Sequence, residues 1–213
     1  MATFERGERS ALSGIITTGR VLLILVFTGI EAATLAIWLA FVESAPALSL
    51  MALVGLAILG VGLVVEHVLT DIAVNGFDLS LPILPVIGIS VSEAILWGIW
   101  LVIAEQIGGL DGFAVAAVFL AVTLVPQHTI EDNILRGGDP FARLFDLGTI
   151  GFSVIESAGA TVWLLFVLRP ELVADPLTRA GLGGVDPAAV GLGVLALALL
   201  LEHNIGVAYS RRR

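Results

Sequence analysis

Three glutamates and three histidines stand in stretches that are otherwise apolar. Thr28-Gly29-Ile30-Glu31 leads to Trp38, Ser90-Val91-Ser92-Glu93 to Trp100, and Ser153-Val154-Ile155-Glu156 to Trp163. Each copy reads hydroxyl, two residues, glutamate, six residues, tryptophan. Positions three and seven apart share a helix face, so each copy predicts a stripe of hydroxyl, carboxylate and indole. His67, His128 and His203 are the chain's three histidines, preceded by Glu66, Gln127 and Glu202. A carboxylate in the middle of a membrane span costs about 2.5–3.5 kcal/mol on insertion scales, so it marks a function or a specific partner.

Several chemistries suit such a set. Imidazole ligates zinc, copper, iron or nickel, and carboxylate suits harder ions. Glu31, Glu93, Glu156, His67, His128 and His203 are therefore candidate ligands for a divalent transition-metal ion, or carriers of a proton. A carboxylate also orients a ligating histidine through its other nitrogen. Haem is the alternative cofactor, with histidine as the strong axial ligand in a chain that has no cysteine and two methionines. The third reading is a scaffold subunit in which each glutamate pairs with the histidine of a facing helix as interhelical glue. Thr28, Ser90 and Ser153 then support the layer, as do Glu66, Gln127 and Glu202. Trp38, Trp100 and Trp163, roughly 10 Å beyond their glutamates by helical rise, form a plug or gate, an aromatic belt or plain core. Trp97 lies outside the pattern and is expected against lipid or a neighbouring helix.

The elements that must position these groups are six membrane-length helices. A span needs about 20 apolar residues. The pattern predicts helices over 20–42, 47–75, 85–107, 113–136, 144–168 and 187–209. Turn signals separate them: Glu43-Ser44-Ala45-Pro46, Asn75-Gly76, Gly108 to Gly112, Gly137-Gly138-Asp139-Pro140, and Arg169-Pro170. Glu171 to Asp186 reads as a longer polar connector, and Pro126 as a kink or a broken backbone bond. Asp71, Glu131 and Asp132 fall near the cytoplasmic interface; as a vestibule they would attract cations, but solvated helix ends are the more frequent case, so solvation is expected. Glu43 and Glu105 read as ordinary carboxylates at the opposite interface.

The fold class is an all-α, polytopic membrane protein, and the spacing predicts three repeated helical hairpins. The glutamates are separated by 62 and 63 residues, the histidines by 61 and 75, with the excess matching the longer last connector. Asn75-Gly76-Phe77-Asp78 corresponds to Arg136-Gly137-Gly138-Asp139. One domain, 1–213, holds repeats at about 15–76, 85–137 and 144–213, arranged with pseudo-threefold symmetry. Counted from the helix ends, all six ionisable residues lie roughly 12–16 Å deep, in one layer.

Composition narrows the class. Apolar residues make up 58% of the chain, above the about 45–50% of soluble domains. Without cysteine there are no disulfides, thiolate sites or iron–sulfur clusters. All ten basic residues are arginine and the net charge is -9, which suggests a high-GC, salt-loving microbe and argues against a nucleic-acid partner. Residues 1–10 are charged and do not read as a cleaved signal peptide. Arg6, Arg9, Arg20, Arg136, Arg143 and Arg211 to Arg213 fall on one side, and Arg169 and Arg179 on the other. By the positive-inside rule both termini are cytoplasmic in a prokaryotic cytoplasmic membrane, with the lipid bilayer and a small cation as partners.

His128-Thr129-Ile130-Glu131-Asp132 is similar to the HxxxD/N piece of intramembrane CAAX-type proteases. Their paired-glutamate motif and second histidine motif are missing, so that assignment is rejected. No phosphate loop, nucleophile elbow or HExxH motif points to an enzyme.

Overall fold

The computed structural model describes the backbone of residues 2–43, 45, 49–77 and 82–212, with side chains from residue 18 onward. Ser44, Pro46 and Asp78, assigned above to turns, lie outside the described residues. Seven helices account for the described chain: α1 Ala2–Val42, α2 Leu50–Asn75, α3 Ile83–Ile107, α4 Gly109–Leu135, α5 Ile150–Leu168, α6 Pro170–Arg179 and α7 Pro187–Ser210. Among the described residues there is no strand. Six helices, all but α6, are long and apolar enough to cross a membrane, as in a multi-pass membrane protein.

Local chemistry sets the ends. Ser49 caps α2 by accepting a hydrogen bond from the Ala52 amide at 3.2 Å. Asp186 caps α7 through the Ala188 amide, with Pro187 in the first helical position. Gly108, at φ 69°, both ends α3 and opens α4, so the expected five-residue turn shrinks to one glycine. Pro126 stays inside an α4 that runs on to Leu135.

The larger further differences from the sequence reading concern α1, α5 and α6. Helix α1 begins at Ala2 rather than near Arg20. Helix α5 begins at Ile150 rather than near Leu144, because the preceding turn satisfies its own backbone. There Asp146 accepts from the Gly148 amide, while the Asp146 amide donates to Thr129. The polar connector after Pro170 contains α6. That helix is short and amphipathic, with Val173 and Leu177 buried four residues apart and Glu171 and Arg179 exposed. The low apolar content of its ten residues hid it from a search for spans.

The Arg169 guanidinium donates to Glu171 at 2.5 Å and holds that carboxyl below the usual carboxylate range. A lowered value means that the contribution is present above about pH 4.3 and is lost as pH falls through the folded-state value. Both groups are exposed, so Glu171→Gln is expected to leave the melting temperature at neutral pH unchanged, checked by thermal unfolding at pH 7 and pH 3.5.

Helix α1 packs on α2, α3 on α4, and α5 on α7, while α2–α3, α4–α5 and α7–α1 contacts close a ring. Arg20 reaches the Ala73 carbonyl at 2.9 Å, Asn75 the Leu135 carbonyl at 2.7 Å, and Ser210 the Asp132 carboxylate at 2.7 Å. These contacts gather the start of the first span and the ends of α2, α4 and α7 at one end of the bundle, with Arg136 and Arg211. Side chains such as Val61, Val118 and Leu197 form an apolar exterior, each more than 60% exposed.

The interior has two halves. Toward the other end, Leu35, Leu59, Leu120, Leu124, Leu164 and Leu195 pack with four buried tryptophans. Toward the arginine-bearing end the interior turns polar.

Candidate functional site

Glu31 on α1, Glu93 on α3 and Glu156 on α5 point into the bundle, at 3%, 6% and 2% exposure. One carboxylate oxygen from each lies within 4.8 Å of the other two. Three oxygens around one ion at bond lengths of 2.0–2.4 Å are separated by roughly 3.5–4.2 Å. The observed spread is within about an ångström of that arrangement. Glu31 Oε2 is buried, with His203 Nε2 3.1 Å away. Three carboxylates this close and out of water need positive charge beside or between them. Protons, imidazolium or a metal cation can supply it.

The histidines stand around this centre in one recurring arrangement. His203 Nε2 lies 3.1 Å from Glu31, His128 Nε2 3.1 Å from Glu156, and His67 Nε2 3.6 Å from Glu93. The other ring nitrogen meets the hydroxyl one turn before that glutamate. Nδ1 of His203 is 2.7 Å from Thr28, that of His128 is 2.8 Å from Ser153, and that of His67 is 3.2 Å from Ser90. In every case the histidine of one hairpin serves the glutamate of the next, with α7 returning to α1.

Hydrogen-bond direction fixes much of the protonation. Ser153 donates to the Thr149 carbonyl at 2.9 Å, so its oxygen is left to accept from His128 Nδ1. His67 Nδ1 donates to the Leu63 carbonyl at 2.7 Å. In both rings Nε2 is then the nitrogen free to exchange a proton with the facing carboxylate. A proton bound at either pair would lie between Nε2 and the facing carboxylate, 3.1 Å apart at His128 and 3.6 Å apart at His67.

The residues preceding the histidines take different parts. Gln127 accepts from Ser92 and donates to the Ile89 carbonyl, both at 2.8 Å, joining α4 to α3. Glu66 accepts from Thr70 at 2.5 Å and approaches His67 and His203 at 3.2 and 3.7 Å. Glu202 lies 3.2 Å from His203 and 3.9 Å from His128. Two of the three equivalent positions thus add a carboxylate to the layer, and the third adds an amide.

Asp71 and Asp132 are not solvated, contrary to expectation. They are 3% and 5% exposed, Asp71 accepting from Asn75 and Asp132 held by Arg136 and Ser210. Arg136, one turn beyond Asp132, and cross-bundle hydrogen bonding made burial possible, and neither is visible from sequence depth alone. Glu131 is half-buried, 4.0 Å from His67 Nε2. Its placement beside the layer was missed because interface depth was read as solvent exposure. Glu43 and Glu105 are exposed, as expected.

Trp38, Trp100 and Trp163 are buried within the leucine core, on the side of the glutamates away from Arg20, Arg136 and Arg211. Trp97 is also fully buried, so it does not face lipid. It meets Trp100 edge-on at 5.3 Å and directs its indole N–H at Glu93 over a long 3.5 Å. Its i,i+4 spacing from Glu93 was the available signal.

Compared with known proteins, the chain matches no family model, no curated protein and no solved structure.

Proposed function

We propose that this is a multi-pass protein of a prokaryotic cytoplasmic membrane that binds a small cation in its glutamate–histidine layer and carries it across. The observation that carries the reading is the convergence of three buried carboxylates, with one oxygen of each within 4.8 Å of the others. Glu31, Glu93 and Glu156 hold the cargo, a divalent transition-metal ion or a proton. His67, His128 and His203 back them, and Thr28, Ser90 and Ser153 orient the imidazoles. Glu66 and Glu202 add charge, and Gln127 fixes the α3–α4 contact. Trp38, Trp100 and Trp163 act as the apolar gate. The three hairpins are copies related by a pseudo-threefold axis, and the recurring pairing of each histidine with the following glutamate supports this. The arginine distribution supports cytoplasmic termini.

A haem on these histidines has less support. Each Nε2 already faces a carboxylate within 3.6 Å, and the cavity beside His128 and His203 is about 30 Å³. Glue alone would account for the pairs, but pairing needs no convergence of three glutamates.

Zinc titration of the detergent-purified protein tests the reading, together with flux in liposomes. Glu93→Gln is expected to weaken binding by at least the about 100-fold that loss of an outer-shell partner can cause, while the circular dichroism spectrum is kept. A wild-type protein with neither zinc binding nor cation or proton flux would leave only the scaffold.

A further inference from the structure

We propose that the layer loads from the end that gathers Arg20, Arg136 and Arg211, through a small cavity where Glu131 receives the cation, the outer Asp132 being held by Arg136 and Ser210. This rests on the cation-site reading above. The cavity, about 30 Å³, has room for one or two waters. His128, His203 and Glu202 border it on the side of the layer, and Gly206 and Ser210 toward the end of α7. It therefore extends the site toward the ends of α4 and α7.

Glu131 lines this space one turn nearer the helix end than His128. Its side chain is 17% exposed, against 3–9% for Glu31, Glu66, Glu93, Glu156 and Glu202. It stands 4.0 Å from His67 Nε2, which is 3.6 Å from Glu93. This gives a cation a stepped path from a partly hydrated carboxylate to the buried three. Ser210 donates to Asp132 across the cavity's outer side at 2.7 Å, with Arg136 on the same aspartate. That bond holds the mouth narrow.

Among the described residues, the opposite direction is closed by apolar packing. Leu35, Leu59, Leu120, Leu124 and Leu195 are 0% exposed beneath the tryptophans. The two larger apolar cavities beside α2 and α3 touch none of the six layer residues.

The chain has no cysteine, so one introduced thiol reports its own accessibility. Gly206 suits this, because an added Cβ would meet nothing nearer than a Glu202 oxygen at 3.4 Å. The full-length Gly206→Cys variant, oriented in sealed vesicles, is treated from each face with silver ion and with dicyanoaurate, a thiol-reactive cation and anion far slimmer than the usual thiol labels. Modification is expected from the arginine-bearing face at least about tenfold faster than from the other, with the cationic reagent favoured. Adding Glu131→Gln is expected to reduce that preference several-fold. Labelling from the other face, no labelling from either face, or a preference unchanged by Glu131→Gln overturns the proposal. Zinc titration of the unlabelled wild type is read separately. Failure to bind zinc there, together with no cation or proton flux in liposomes, overturns the cation reading and leaves the accessibility result standing as a measured route.

Discussion

Replacing His128 with alanine lowers thermal stability in detergent more than replacing both His128 and Glu156 with leucine. The expected single-variant loss is about 3–5 kcal/mol, the range for removing one partner of a buried pair. Glu156 is 2% exposed and has its imidazole partner 3.1 Å away. Without that ring it keeps two other carboxylates within 4.8 Å and gains nothing to offset them. The double variant removes both the charge and its need for a partner, and leucines of similar bulk continue the apolar half of the core. Its stability should lie close to wild type or above it. The buried tryptophans make intrinsic fluorescence a suitable melting probe. A single variant no less stable than the double would show that the pair carries no such coupling. Both variants should lose cation binding, so stability and binding part company in the double.

Gly159→Ala is the second large effect. A Cβ there would sit 2.2 Å from the Ala198 Cβ, where α5 crosses α7. Neither methyl can rotate away, because each is fixed to a helix backbone. The helices must separate, at a cost of roughly 1–3 kcal/mol for an overpacked contact, expected here near the upper end. Small residues that let helices approach are the usual means of packing in a membrane, where helices gain little from hiding from lipid. Helix α5 carries Glu156 and α7 carries His203, so the shift also loosens the layer and weakens zinc binding. Gly151→Ala is the control: nothing lies within 4 Å of its added Cβ, and alanine favours the helix. Ala198→Gly in the Gly159→Ala background should restore melting. Without that rescue, the close approach is not the cause.

Much of the site was legible because membrane spans make charged residues conspicuous. Glu31, Glu93 and Glu156 stood out by type, and their common register with the histidines gave depth. Azimuth was not encoded in the same way. Spacing alone could not say that the carboxylates converge while the histidines stand around them. Nor could it say that Trp97 turns inward beside Trp100. Depth also misled at Asp71, Asp132 and Glu131, since a residue near a helix end is buried whenever neighbouring helix ends gather over it. The boundaries at Gly108 and Ile150 depend on single backbone conformations and local turns, and α6 is too short and polar to register as a span.

The pairing of each histidine with the glutamate of the following hairpin bears on how the protein is made. No hairpin contains a complete pair. Glu31 and Thr28 leave the ribosome with the first span, yet their partner His203 sits on the last, 175 residues after Thr28. The first carboxylate must therefore wait for its imidazole until five more long helices have been made and α7 docks against α1. A chain interrupted anywhere before α7 leaves that carboxyl without its imidazole. Quality control could recognise that defect, and the fully assembled ring hides it.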